Sequence, residues 1–127
     1  MFGRSFIGAL AAAAIALPAI AQDAYVVGLT GALTGPGAGT TGPAVEGLRL
    51  YVDRINAAGG IKGKKINLIL LDDGAEPSKA ATNAKRLTTQ ENVVLMINSS
   101  LSSTYAPTVA ESKRADIPLL YMGAVCP

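Results

Sequence analysis

Five hydroxyl side chains crowd one short segment of the chain: Ser99, Ser100, Ser102, Ser103 and Thr104. They follow an apolar run and precede a helical pattern, so they are expected where a helix begins. Unpaired N–H groups and the positive end of the helix dipole attract anions at such a point. The segment therefore predicts a carboxylate or phosphate site. The alternative, which the sequence leaves open, is that one serine caps the helix and the others are solvated.

Three glycines, Gly37, Gly39 and Gly42, match the pattern G-x-G-x-x-G between a strand and a helix, which is typical of dinucleotide-binding enzymes. Two spacings disagree with that interpretation. Six residues separate the strand from Gly37, and the acidic pair Asp72-Asp73 lies 30 residues beyond Gly42, where about 20 is typical. A flexible glycine-rich loop that opens a helix is the favoured interpretation, and a secreted NAD-dependent enzyme is kept as the alternative.

Asp72 and Asp73 are adjacent on a predicted strand, so their side chains point to opposite faces and make a poor catalytic pair. We expect them to end the strand and to bond the turn that follows. The chain has no histidine and one cysteine, Cys126, which is either paired with a partner elsewhere or a buried free thiol. No catalytic residue, metal site or cofactor is predicted.

Four apolar runs have the length of strands: residues 25–30, 66–71, 93–98 and 117–122. Three helical patterns lie between them. The first begins near Pro43 and ends at Gly59-Gly60, the second covers residues 77–90, and the third covers residues 103–114 with Pro107 in its first turn. The expected inward positions are Val45, Leu48, Val52 and Ile55 in the first helix, Ala80, Ala84 and Leu87 in the second, and Ala106, Val109 and Ala110 in the third.

The alternation of strands and helices predicts an α/β fold, a Rossmann-like parallel sheet with helices on both faces. Ligands of such sheets bind beyond the carboxyl ends of the strands, here segments 31–42, 72–76, 99–104 and 123–127. Because the sequence stops directly after its fourth strand, we expect it to be a fragment of a longer protein.

Residues 1–21 have the parts of a secretory signal peptide: Arg4, an apolar run over residues 6–17, and the small-residue site Ala19-Ile20-Ala21. Cleavage after Ala21 predicts a periplasmic or extracytoplasmic protein that begins at Gln22. Without Arg4 the remaining chain has 10 basic and 9 acidic residues. This balance and the lack of a basic stripe argue against nucleic acid as a partner.

Several motifs together resemble the leucine/isoleucine/valine-binding protein family, the type I periplasmic binding proteins of ABC importers. Residues 55–65 (INAAGGIKGKK) and the strand end Leu71-Asp72-Asp73 carry most of the resemblance. Further matches are Thr34-Gly35-Pro36, the serine loop Ser102-Ser103-Thr104 and residues 123–127. The resemblance covers residues 25–127 and implies that residues 22–127 are most of the N-terminal lobe of a two-lobed protein.

The resemblance implies a binding protein rather than an enzyme, with a small-molecule ligand in the cleft between lobes and a membrane permease as partner. It implies that Ser102 and the main chain at Gly123 and Val125 hold the carboxylate and amine of an amino acid, and that Thr40 or Thr41 covers the ligand. Ser103 and Thr104 join this set from their place at the helix start. Val125 stands where leucine-type members have a threonine, so an amine-free acid stays open beside an amino acid. The ligand-binding ectodomain of a membrane receptor is a further alternative.

Overall fold

The computed structural model describes residues 24–123, which form a four-stranded parallel sheet in the order β2-β1-β3-β4. The predicted Rossmann-like architecture is confirmed. In chain order the elements are β1 (Tyr25–Gly31), α1 (Ala38–Ala57), β2 (Ile66–Asp72), α2 (Pro77–Thr89), β3 (Leu95–Ser99), a 3-10 turn (Ser102–Thr104), α3 (Tyr105–Ala115) and β4 (Leu119–Tyr121).

The sheet is covered on both faces, because alternate residues of each strand point to opposite sides. On one face Leu29 and Ile97 pack against Val45 of α1. On the other face Met96 packs with Leu87 of α2 in a second core. Helix α2 lies so close to β1 that a Cβ added to Gly28 would stand 2.5 Å from a Leu87 methyl group.

Helix α1 begins earlier than the proline predicts. The backbone N–H groups of Thr40 and Thr41 donate to the Gly37 carbonyl, so a helical turn forms before Pro43. The Thr41 hydroxyl also donates to the Ala32 carbonyl at 2.6 Å and ties this turn to the end of β1. The expected flexible glycine-rich loop is therefore wrong over residues 38–42, which are helical.

Helix α3 buries a different face from the one that its apolar residues predict. Thr108 and Ser112 are buried, whereas Ala106 and Ala110 are exposed. The reason is that Asn98 on β3 lies beneath the helix and donates to the Thr108 hydroxyl at 3.0 Å. The inward positions predicted for α1 and α2 are buried or half-buried, and Pro107 lies in the first turn of α3 as expected.

Two strands are shorter than the apolar runs that predict them, with β3 beginning at Leu95 and β4 covering only Leu119–Tyr121. None of the helices within residues 24–123 is both long enough and apolar enough to cross a bilayer. The predicted signal peptide, Val125 and Cys126 lie outside the described residues.

Candidate functional site

A pocket of about 470 Å³ opens where the carboxyl ends of β3 and β4 meet the first turns of α1. This volume is within the range of small-molecule sites. Four residues predicted from the sequence come together in it: Thr40, Thr41, Ser102 and Gly123. The remaining lining residues are Ala44, Ser100, Leu101 and Met122. A second cavity of about 450 Å³ runs along the edge strand β2 beside α1, away from the carboxyl ends of the strands.

The serine loop presents one of its two exposed hydroxyls to the pocket. Ser102 and Ser103 both lie exposed in the 3-10 turn that precedes α3. Ser102 lines the pocket, whereas Ser103 is not among the lining residues. The turn itself is fixed because the Thr104 N–H donates to the Leu101 carbonyl at 2.9 Å.

Thr104, a predicted ligand contact, lies below this turn and outside the pocket. Its side chain is fully buried, and its hydroxyl donates to the Leu101 carbonyl at 2.8 Å. It also accepts a hydrogen bond from the Asn98 amide at 3.1 Å. The N–H and the hydroxyl of Thr104 are thus both bonded within the protein, and these bonds hold the turn that contains Ser102.

The two threonines of α1 differ in what they can offer a ligand. Thr40 is exposed at the pocket rim. Thr41 is buried, and its hydroxyl hydrogen is directed at the carbonyls of Ala32 and Gly37. Thr40 can therefore donate to a ligand, while the Thr41 oxygen can only accept.

Tyr121 connects the end of β4 to the serine loop. Its hydroxyl donates to the Ser100 carbonyl at 3.2 Å, and its ring meets that of Tyr105 edge-on with centroids 5.1 Å apart. Burial raises the pKa of Tyr121, and the negative charge of Asp73 adds to that shift. A Cβ on Gly123 would stand 3.2 Å from the Tyr121 ring, so the ring lies against the backbone at the pocket wall.

The two adjacent aspartates hold separate sets of loops, and both bond the turn after β2 as predicted, Asp72 to the Gly74 N–H and Asp73 to the Ala75 N–H. Asp72 is exposed and also accepts hydrogen bonds from the N–H groups of Leu33 and Thr34 and from the Thr34 hydroxyl. That hydroxyl, with the backbone donors, lowers the pKa of Asp72.

Asp73 is fully buried and accepts hydrogen bonds from hydroxyl groups at the ends of two other strands. Thr30 at the end of β1 donates at 2.9 Å, and Ser100 after β3 donates at 2.6 Å. Sequence reasoning missed this role of Asp73 and Ser100. The available signal was that all three residues stand at carboxyl ends of strands predicted to be parallel, and such ends meet at one edge of the sheet.

The chemistry of the pocket is that of neutral hydrogen-bonding groups beside apolar surface. No charged side chain lines it among residues 24–123, and that part of the chain holds no cluster of three potential metal ligands. The glycine motif does not form a phosphate cradle. Gly39 and Gly42 lie within α1, whereas the first glycines of the dinucleotide motif form the tight turn between the strand and the helix.

Comparison with known proteins gives one consistent result. A sequence profile described as periplasmic binding protein matches residues 24–126. A Pseudomonas aeruginosa protein named amino acid binding protein is 29% identical over 127 residues, covering 100% of this chain and 34% of the relative.

Two solved structures share the fold and were obtained with different ligands. The branched-chain amino acid transporter substrate binding protein LivJ from Streptococcus pneumoniae, in complex with isoleucine, has a TM-score of 0.73 and 34% identity, covering 78% of this chain and 28% of its own. A solute binding protein of an ABC transporter from Rhodopseudomonas palustris BisB5, in complex with 3,4-dihydroxy benzoic acid, has a TM-score of 0.70 and 26% identity, covering 79% and 27%. The chain spans about a third or less of these three relatives.

Proposed function

The chain belongs to the periplasmic binding protein family, and from this premise we propose that it is part of the extracytoplasmic receptor of an ABC importer. The proposed ligand is a branched-chain amino acid or a related small carboxylate. The observation that carries the proposal is the pocket at the strand ends, where Ser102, Thr40 and Gly123 meet. Membership of a solute-binding family and the helical glycine motif both disfavour the alternative of an NAD-dependent enzyme.

A carboxylate in this pocket would be held by neutral donors rather than by a cation. Ser102 lies exposed at the start of the 3-10 turn, and Thr40 is exposed where α1 lines the same pocket. Hydrogen bonds to a charged group contribute roughly 1.5–3 kcal/mol each. Two or three of them, with burial of an apolar ligand part against Leu101 and Met122, are enough for a micromolar site, which needs about −8 kcal/mol. Val125, outside the described residues, remains a proposed backbone contact.

The ligand's amino group is the open part of its chemistry. An ammonium needs acceptors, and the described lining offers hydroxyl and carbonyl oxygens but no carboxylate. One relative was solved with isoleucine and another with 3,4-dihydroxy benzoic acid, so both an amino acid and an amine-free acid are compatible with the fold.

Family membership supports a proposal for the partner and the location. A periplasmic binding protein implies a periplasmic location, and we propose that this one delivers its ligand to a membrane permease. Export would use the signal peptide over residues 1–21, with cleavage after Ala21, which N-terminal sequencing of the exported protein would identify.

A thermal-shift panel on the full-length protein tests the ligand class. It compares leucine, isoleucine and valine with their deaminated acids and with 3,4-dihydroxybenzoate. Ser102→Ala is expected to weaken the best ligand by about tenfold, equivalent to about 1.4 kcal/mol, because one donor to the carboxylate is lost. Ser103→Ala is the matched control, since it removes a neighbouring exposed hydroxyl outside the lining. An uncharged best ligand, or an unchanged affinity in Ser102→Ala, would contradict the carboxylate assignment.

A further inference from the structure

A buried carboxylate joins the ends of three strands directly behind the pocket. Asp73 is 0% exposed. Its Oδ1 accepts hydrogen bonds from the Ser100 hydroxyl at 2.6 Å and the Ala75 N–H at 2.8 Å, and its Oδ2 accepts one from the Thr30 hydroxyl at 2.9 Å. Burying a carboxylate is costly unless such donors replace its water. These three donors therefore replace the water that would otherwise bond the Asp73 carboxylate.

The hydrogen bond from Ser100 connects Asp73 to the pocket. Ser100 lines the pocket itself, and its carbonyl accepts the Tyr121 hydroxyl at 3.2 Å. The Tyr121 ring in turn stands against the backbone at Gly123. A displacement of Ser100 would thus reach two walls of the pocket, the serine loop and the end of β4.

We propose that Asp73 is the positioning residue of the ligand pocket, acting through the Ser100 hydroxyl to fix loop 99–105 and, through Tyr121, the wall at Gly123. Asp73 does not touch the ligand. The functional consequence rests on the proposed solute-binding role of the pocket, whereas the ordering of the loop can be measured without any ligand.

Thr30 supplies a matched control within the same network. Its hydroxyl donates to the same carboxylate, but from β1, and it also accepts a hydrogen bond from Asn83 of α2 at 3.2 Å. Thr30 is not among the lining residues of the pocket. Removing either hydroxyl takes one donor from Asp73, yet only the loss of Ser100 releases the loop.

Amide hydrogen exchange in the full-length protein, without ligand, tests the positioning. Ser100→Ala and Asp73→Ala are expected to speed exchange of the amides in loop 99–105 by about tenfold or more, relative to the core strands. Thr30→Ala should leave exchange in this loop within about twofold of the parent protein. Asp73→Asn should also preserve the loop, because its amide oxygen can keep the Oδ1 contacts while its nitrogen donates to Thr30.

Affinity measurements with isoleucine and with 3,4-dihydroxybenzoate extend the test to function. Whichever probe binds should bind about tenfold more weakly to Ser100→Ala and unchanged to Thr30→Ala and Asp73→Asn. If Thr30→Ala loosens the loop as much as Ser100→Ala, or if Asp73→Asn behaves like Asp73→Ala, Asp73 is not a positioning residue acting through Ser100. If neither probe binds, but the variants change loop exchange as expected, the result counts against the proposed ligands and still supports the positioning role of Asp73.

Discussion

Helices α2 and α3 pack against each other on one face of the sheet, yet α2 buries apolar side chains and α3 buries hydroxyl side chains. Helix α2 turns Ala80, Ala84 and Leu87 inward. Helix α3 buries Thr108 and Ser112 instead. The difference follows from the strand residues below, since Leu87 faces an apolar cluster around Met96 and Thr108 faces the Asn98 amide.

Burying these hydroxyl groups of α3 costs little free energy, because each of them has hydrogen-bond partners close by. Thr108 donates to the carbonyls of Tyr105 at 2.8 Å and Thr104 at 3.1 Å, and Ser112 donates to the Ile117 carbonyl at 2.6 Å. Directional bonds of this kind fix position as well as burial. Helix α3 directly follows the serine loop, and the Asn98 amide bonds both Thr104 of that loop and Thr108 of the helix.

The largest effect is expected from the apolar helix. Leu87→Ala should lower the free energy of unfolding by about 3 kcal/mol, because a fully buried leucine leaves a cavity that the close packing over Gly28 cannot refill. Urea unfolding of the full-length protein measures it. Leu50→Ala is the control, since Leu50 is 64% exposed on α1 and should change stability by less than about 0.5 kcal/mol. Equal losses in the two variants would contradict the description of the α2 core.

A smaller effect is expected from the polar helix. Thr108→Val keeps the shape of the side chain but removes the hydroxyl that accepts from Asn98. Stability should fall by about 1–2 kcal/mol, because a buried amide donor loses a partner. Thr82→Val is the matched control: Thr82 also donates to a carbonyl of its own helix, at 3.0 Å, but is exposed. If Thr108→Val lowers the free energy of unfolding no more than Thr82→Val does, the contact of α3 with Asn98 does not stabilise the fold.

The sequence predicts all three helices, but for α2 and α3 it predicts the buried face correctly only where the contacts are apolar. The inward face of α2 follows from the spacing of alanines and leucine, because apolar periodicity records apolar burial. The same rule selects the wrong face of α3, because hydrogen bonds compensate the burial of Thr108 and leave no apolar periodicity in the sequence. In the site, Ser102, Thr40 and Gly123 were predictable from strand ends and from the family resemblance. The strand ends indicate that Asp73 and Ser100 lie at the same edge of the sheet, but the bond itself was not predictable, because it joins side chains 27 positions apart.

The smallest effect concerns the seam between α2 and α3. Glu111 of α3 is paired with Arg114 through the guanidinium and accepts the Thr88 hydroxyl of α2. The bonds with Arg114, with Thr88 second, lower the pKa of Glu111 from 4.5 to about 2. A lowered carboxyl pKa stabilises the fold above pH 4.5, and this contribution is lost as the pH falls towards 2. Because Arg114 is 58% exposed, solvent screening limits the contribution to about 1 kcal/mol.

Urea unfolding of the parent protein and of Glu111→Gln isolates this contribution from that of other acids. At pH 6 the parent should be more stable than the variant by about 1 kcal/mol. At pH 3 the difference should shrink to less than half, because Glu111 is then protonated in the unfolded chain and gains little on folding. Arg114→Gln should give a similar pattern, since it removes the main partner of the carboxylate. A stability difference that stays constant between pH 6 and pH 3 would mean that Glu111 joins the helices by packing rather than by charge.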